Sequence, residues 1–455
     1  MDSVRRARRP RIVTHRSFVA RKAWLVEEGL RLDAAAYAVG GIEARELIRK
    51  GPWRVEPLVE VAQLFNESRF ARTYVTDATR GVPYLTGTDM LSADLVDLLL
   101  LSKARTARLP KLVVREGWTL ISCSGTIGRS VFVRRSMDGM ALSHDVIRAI
   151  PRPGMPPGFL FAFLSSAPAQ SMIRQKTYGS VVQHIEPHHL SDLPLPVPTS
   201  GLASRIHGLV MSAANARTDA ADLLRGVTDW FDGQGGSRRH PRQHGRAVSV
   251  VSRAELRSRL DAFHHIGWAG EVADVEGPSL GSLADVFAVS SMPRVWAERG
   301  VPFVTGSNIF AVRPEPERRL ATWAARQVGA SVQTGDLLVQ AYGQLYGLIG
   351  RAAYVGHRAQ GWAASHLLFR VRAETADTRA WLFAFFLSDV GRRQVVGRAS
   401  GNQIPHLVPA AIRSVRVPEL PADLIAHARR AIELREEADA KEEQAIVEVE
   451  QWLAS

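Results

Sequence analysis

The sequence predicts a mixed α/β (α+β) fold built twice: two tandem, pseudo-symmetric domains joined by two long antiparallel coiled-coil helices. Three observations predict it. The chain repeats itself 222 residues on: Gly128-Arg129-Ser130-Val131-Phe132-Val133 matches Gly350-Arg351-Ala352-Ala353-Tyr354-Val355, Ser143-His144 matches Ser365-His366, and Phe159-Leu160-Phe161-Ala162-Phe163 matches Trp381-Leu382-Phe383-Ala384-Phe385. Each copy mixes strand-like and helix-like runs. Each copy also ends in a long heptad pattern. A period of this length is a domain, not a turn of a solenoid.

In chain order, the first domain spans 1–198 and opens with a basic segment. Within it, Trp118-Thr119-Leu120-Ile121-Ser122 reads as a strand, Ser124-Gly125-Thr126-Ile127-Gly128 as a tight strand connection, and 158–176 as a helix from its helically spaced Leu, Phe and Ala. Leu193-Pro194-Leu195-Pro196-Val197-Pro198 closes the domain as a Pro-punctuated strand. The helix 199–233 follows, with Leu202, Ile206, Leu209, Ala213, Ala216, Ala220, Leu223, Val227 and Trp230 in alternating steps of four and three. Gly233-Gln234-Gly235-Gly236-Ser237 stops it and begins a basic linker, 234–246. The second domain, 247–420, repeats the plan with a strand at Leu337-Leu338-Val339-Gln340, a helix at 380–397 and Val415-Arg416-Val417-Pro418. The helix 421–455 keeps the seam at Leu424, Ala428, Ala431, Ala438, Ala445, Val449 and Trp452, while Arg435 and Glu442 break it.

Upstream matches, Arg31-Leu32-Asp33-Ala34 with Arg259-Leu260-Asp261-Ala262 and Gly81-Val82-Pro83 with Gly300-Val301-Pro302, stand at offsets of 228 and 219, so short indels separate the first halves of the copies. Downstream, Gly179 falls on Gly401, His184 on His406, Pro187 on Pro409 and Trp230 on Trp452.

Composition bounds the function. With 455 residues and 46% hydrophobic content, each domain can bury its own core. No run approaches the ~18 apolar residues of a membrane span, and the basic start lacks the apolar stretch of a secretory signal, so a cytoplasmic, nucleoid-associated protein is expected. The single cysteine, Cys123, excludes an internal disulfide and reads as a small buried strand residue. A net charge of +13 points to a polyanionic partner. The charge is segregated: residues 3–22 carry eight Arg or Lys and no acid, Lys103, Arg105, Arg108, Lys111 and Arg115 form a second acid-free run, and Arg238, Arg239, Arg242 and Arg246 form a third. The last helix is acidic, which suits a protein partner rather than phosphate.

If the two helices pair antiparallel, a domain sits at each end of a rod of ~45 Å. That is somewhat longer than one turn of B-DNA, ~34 Å. One chain then imitates a two-fold dimer with unequal readers, suited to a non-palindromic target.

On these residues the chain resembles the specificity subunits of type I restriction-modification systems over nearly its whole length. The resemblance is carried by the Arg-Leu-Asp-Ala motif in each copy, the turn Ser124–Gly128, the run from Gly179 to Pro187, Leu190, Leu193 and the Pro-rich strand before the long helix. The second copy departs at the turn, where Tyr342-Gly343-Gln344-Leu345-Tyr346-Gly347 replaces the shorter loop. The resemblance implies two target-recognition domains that bind double-stranded DNA. It further implies helices that dock DNA adenine methyltransferase subunits, two of them, and chemistry left to those partners, with S-adenosylmethionine bound there and restriction or translocase subunits joining the complex.

The residues themselves agree. No Asn-Pro-Pro-aromatic or Asp-Pro-Pro-aromatic tetrad, glycine-rich nucleotide loop or Walker sequence is present. His184, Glu186, His188 and His189 could ligate a metal, but the second copy keeps only His406, so no metal and no cofactor is assigned to this chain. Ser143-His144 and Ser365-His366 are adjacent in strand-like segments and point to opposite faces, which spoils direct base activation. DNA contacts are therefore chosen by residue type: Lys103, Arg105, Arg108, Arg174, Lys176, Tyr178 and Gln183 in the first domain, and Gln340, Tyr342, Gln344, Tyr346, Arg398, Asn402 and Gln403 in the second. Partner docking is assigned to Leu202, Ile206, Leu209, Leu223, Val227, Trp230, Leu424, Val449 and Trp452. A recognition component of a different methyltransferase-based phage-defence complex fits the same residues. A self-contained DNA-modifying enzyme does not.

Overall fold

Repeated sequence becomes repeated topology in the computed structural model, which describes residues 21–27, 37, 40–178, 183–234, 275–345, 347–401 and 403–455. The first head holds a four-stranded antiparallel sheet in the order 62–65, 146–151, 119–122, 130–132. The second head holds the same order with 285–287, 368–372, 337–340 and 352–354. Beside it each head carries a smaller sheet containing one parallel pair, 81–85 with 141–142 and 296–304 with 363–364. The Arg31 and Arg259 motifs, the basic runs at 3–20 and 238–246, Gly179, Tyr346 and Asn402 lie outside the described residues.

One buried arginine locks each main sheet to its neighbours. Arg148 and its repeat mate Arg370 are fully buried. Arg148 donates to the carbonyls of Val146, Leu112 and Leu142, and Arg370 to those of Ser365, Leu368, Ala330 and Ala364, at 2.7–3.4 Å. Burial pulls both guanidinium groups down to about 10. The cation is kept because backbone carbonyl dipoles from several segments converge on it.

The helices expected at 158–176 and 380–397 are each broken in two: Pro157–Ser165 with Ala167–Gln175, and Ala376–Leu387 with Asp389–Val396. Apolar spacing runs through both breaks, so periodicity hides them. The breaks fall at repeat mates Ser166 and Ser388, whose backbones are extended, and each hydroxyl donates to a carbonyl three residues back at 2.7 Å. Gly391 is required beside the second break, since a Cβ there would lie 2.0 Å from the Phe385 carbonyl oxygen.

The long helices, Ser200–Gln234 and Ala422–Ala454, run antiparallel. Arg205 meets Glu448 at 2.9 Å, Lys441 donates to Ser212 at 2.8 Å, and Arg217 meets Asp439 at 2.7 Å and also Glu442. Ala213, Ala216 and Ala438 fill the middle of the contact, where small side chains let the backbones approach. At ~1.5 Å per residue the rod is roughly 50 Å long.

Each end of the rod is built into a head. Ile206, Val210 and Ala214 of the first helix and Ala445, Ile446, Val449 and Leu453 of the second complete the core of the first head. Leu224, Val227 and Phe231, with Ala428, Ala431 and Ile432, complete that of the second. The docking assignment is corrected accordingly. Ile206, Val227 and Val449 are fully buried in these cores. Leu202, Leu209 and Trp452 pack on the first core, and Leu223, Trp230 and Leu424 on the second. These six are half-buried, so the apolar seam is largely used within the chain and the exposed faces of the rod are polar.

Acids of the last helix also pair within the chain, while Glu433, Glu437 and Glu443 stay exposed. Besides the pairs above, Glu443 meets Arg358 at 3.4 Å, Glu436 accepts from the His357 N–H, and Glu433 and Glu437 meet Arg430 of the same helix. Glu450 accepts from the Ala167 N–H at 2.7 Å, and Asp232 of the other long helix accepts from the Val390 N–H at 3.1 Å. Each long helix thus places a carboxylate at a helix N-terminus in the head of the opposite copy, where exposed N–H groups favour negative charge.

Candidate nucleic-acid interface

The same short ladder recurs in each head. Tyr178 and His184 exchange backbone hydrogen bonds at 3.1 and 2.9 Å, and Ser400 and His406 exchange theirs at 2.8 and 2.8 Å. Each ladder is bridged to the turn after the central strand, Ser124 to His184 and Tyr342 to His406. In the second head the Tyr342 ring stacks on His406 at 5.6 Å and 15°. Gln403 and Ile404 stand exposed at this hairpin, Ile404 at 67%. In the first head Gln183 is exposed, and the exposed Tyr178 donates its hydroxyl to Glu186 at 3.0 Å.

Beside the first hairpin lies His144, whose ring meets Phe70 edge-on at 6.4 Å. Burial lowers its pKa below the ordinary histidine range against the pull of Asp145, and the positive charges of Arg72 and Arg69 and the nearby His184 push the same way. His366, the repeat mate, is lowered by burial and then by Arg294 and Arg370. Both shifts favour the neutral imidazole. Arg69, Arg72 and Arg294 are exposed on the preceding loops. Sequence reasoning passed over these arginines because they stand singly in aperiodic segments; the repeated Ser-His dipeptide was the signal available.

A second basic and aromatic surface belongs to the second head. Arg318 lies 5.1 Å over the Trp296 ring, and Arg299, Trp323 and Arg326 line an open hollow. Trp323 and Arg326 follow the strand 318–320 as Lys103 to Arg108 follow 99–102 in the first head.

The selected DNA contacts divide on this geometry. Lys103, Arg105, Arg174, Gln183, Gln344 and Gln403 are exposed, as is Tyr178, while Tyr342 is half-buried against His406. Lys103 also donates to the Thr79 carbonyl and Arg108 to Ser68. Lys176 is half-buried and meets Asp192 at 3.4 Å. Two assignments are corrected. Gln340 is buried and donates to the Tyr342 carbonyl at 2.7 Å, shaping the turn from within. Arg398 bonds Ser414 Oγ, Ser414 O and Gln394 O, and so ties the hairpin base to the core.

The groups that could have signalled chemistry serve structure. Ser143 is buried and accepts the Asp145 N–H, while His144 Nε2 lies 3.3 Å from Asp145. His189 accepts the Glu186 N–H in a capping turn. Among the described residues no group of three or more His, Cys, Asp and Glu is arranged to hold a metal. Burial, with Asp145 behind it, pushes the Cys123 thiol up to about 12. Since the thiolate is the reactive form, maleimide labelling of the native chain at pH 8 is expected to be at least 100-fold slower than in denaturant. Comparable rates would show the strand to be open to solvent.

The surface that remains presents exposed arginines beside glutamine and tyrosine at the two hairpins, side chains able to pair with phosphate oxygens and base edges. Among the described residues no helix is long and apolar enough to cross a membrane.

No family model matches this sequence, and no curated protein matches it. Among solved structures the chain is similar to the S subunit of a type I restriction-modification system from M. genitalium, with 12% identity, TM-score 0.29, and coverage of 89% of this chain and 94% of that one. It is similar to the HsdS subunit from Thermoanaerobacter tengcongensis, with 14% identity, TM-score 0.29, and coverage of 89% and 97%. A chain from a structure of type I restriction-modification complex assembly gives 13% identity, TM-score 0.28, and coverage of 89% and 97%.

Proposed function

We propose that this chain is a non-catalytic specificity subunit that reads a bipartite double-stranded DNA target and directs an adenine methyltransferase to it. The observation that supports this reading is the duplicated reader itself. The same hairpin, histidine and arginine arrangement recurs in two heads whose cores grip opposite ends of one rod. A rod of roughly 50 Å exceeds one ~34 Å turn of B-DNA, so each head meets its own stretch of groove. Because the hairpins differ, with Gln403 and Ile404 in one and Val181 and Val182 at the same repeat positions in the other, the two half-sites differ too. Methyltransferase subunits, two in number, dock on the polar flanks of the rod and bring S-adenosylmethionine, and restriction or translocase subunits join them.

The test is methylome sequencing of cells carrying the chain and its methyltransferase. Changing Asn402 and Gln403 to Ala should relax only the half-site read by 247–420, by about 1–3 kcal/mol for each base pairing lost. The purified chain alone should methylate nothing. Its DNA affinity should fall steeply with salt as counterions are released. Equal scrambling of both half-sites, methylation by the isolated chain, or salt-independent binding would overturn the reading.

A further inference from the structure

The repeat relation and the contacts together locate a pseudo-twofold axis. On the rod, Ala216 and Ala438 are repeat mates and meet in one cluster. Between the heads, Ser92 and Ala311 are repeat mates and form a β-bridge. Around that bridge the Ala93 N–H donates to the Phe310 carbonyl at 2.9 Å, and the Val312 N–H donates to the Leu91 carbonyl at 2.7 Å. At the offset of 219 these bonds are images of each other. Both contacts, as far as backbone and small side chains go, would accept two identical copies equally well.

The charged side chains would not. Arg217 pairs with Asp439, which is its own repeat mate, so the axis passes between opposite charges. Glu442 completes this pair, and its mate in the first copy is Ala220. Burial opposes the Arg217 charge, but Glu442 and Asp439 outweigh it and hold the guanidinium above the usual arginine range. Asp94 meets Arg435, yet Asp94 has Arg313 as its mate and Arg435 has Ala213. Arg392 meets Asp97, with mates Gln170 and Pro316, and Arg129 meets Glu315, whose mate is Val96. In each pair one partner comes from each copy.

We infer that this contact is coded for unlike partners: the first-copy surface carrying Asp94, Asp97, Arg129 and Arg217 fits the second-copy surface carrying Glu315, Arg392, Arg435, Asp439 and Glu442, and rejects a second copy of itself. Two first copies would bring Arg217 against Arg217 with alanine at 220. Two second copies would crowd Asp439 and Glu442 against their own duplicates. An uncompensated buried charge is strongly unfavourable. The partner that fits is a chain with an Asp and a Glu one helical turn apart at the rod centre, and an arginine facing Asp94.

The test starts from the full chain, with a protease site placed at 237–246 and cleaved after folding, so that both segments begin in their native complex. The cleaved segments should remain a one-to-one pair on gel filtration. Two preparations with differently tagged first segments, mixed and allowed to exchange, should never yield the two tags on one particle. Asp439→Arg should weaken the cleaved pair at least tenfold by dilution, and adding Arg217→Asp should restore it, which separates charge selection from misfolding. Particles carrying both tags, or a double variant no tighter than the single one, would overturn the inference. No DNA enters these measurements, so their failure is distinct from failure of the DNA reading.

Discussion

Replacing Arg370 by alanine is expected to cost about 3–5 kcal/mol, among the largest single-site losses in this chain. The guanidinium donates to four backbone carbonyls in the second head. The Ala330 and Ser365 carbonyls keep backbone donors in the Ala364 and Leu368 N–H groups, so the loss falls on the carbonyls of Leu368 and Ala364, at about 1–3 kcal/mol for each buried acceptor left unpaired, and on the cavity the side chain leaves. Lysine should rescue little, because one ammonium cannot span acceptors on four residues in the geometry of a planar fork. Arg148→Ala should cost a similar amount in the first head. The two residues share no hydrogen-bond partner, so their effects should add. Urea unfolding of the full chain measures both. A loss under ~1 kcal/mol at either site would mean that the carbonyls find other donors and that the arginine is not what joins the strands.

The second large effect concerns the rod. Inserting one heptad into the first long helix alone lengthens that side by roughly 10 Å, about three base pairs of DNA. Arg217 then loses Asp439 and Glu442, and one head is drawn away from the Ser92–Ala311 bridge. A single insertion is therefore expected to abolish site-specific methylation. Matched heptads at both centres, beside Ala216 and Ala438, keep the charges paired. That variant should restore methylation at the same two half-sites with a changed gap between them. Methylome sequencing reads both outcomes. An unchanged gap in the matched variant would show that the rod does not set the spacing.

Much of this architecture can be read directly from sequence. The duplication, both long helices and the strands at 119–122 and 337–340 follow from local patterns whose period matches the element formed. The breaks at Ser166 and Ser388 do not, because apolar spacing continues across them and a serine–carbonyl bond decides the matter. Arg435 and Glu442 look like faults in a heptad seam until their partners, Asp94 and Arg217, are brought in from more than two hundred residues away. Gln340 and Arg398 have the right chemistry for bases, but burial and backbone acceptors claim them, and residue type carries no burial information. Arg69, Arg72 and Arg294 were missed for the converse reason, since only folding gathers them around His144 and His366.

The bridge between Ser92 and Ala311 has a mechanical consequence. Two bodies that share their cores only with the ends of one rod could shift relative to each other wherever that rod bends. Once the bodies also clasp each other away from the rod, the whole becomes a closed frame, and neither can turn without the other. Opening the frame would take both the Ala93–Phe310 and Val312–Leu91 hydrogen bonds and the Arg129–Glu315 and Arg392–Asp97 pairs beside them. While the clasp holds, the angular phase between the two hairpins is fixed by the chain alone. On the proposed reading, DNA presenting its half-sites on another helical phase would have to twist to meet both hairpins.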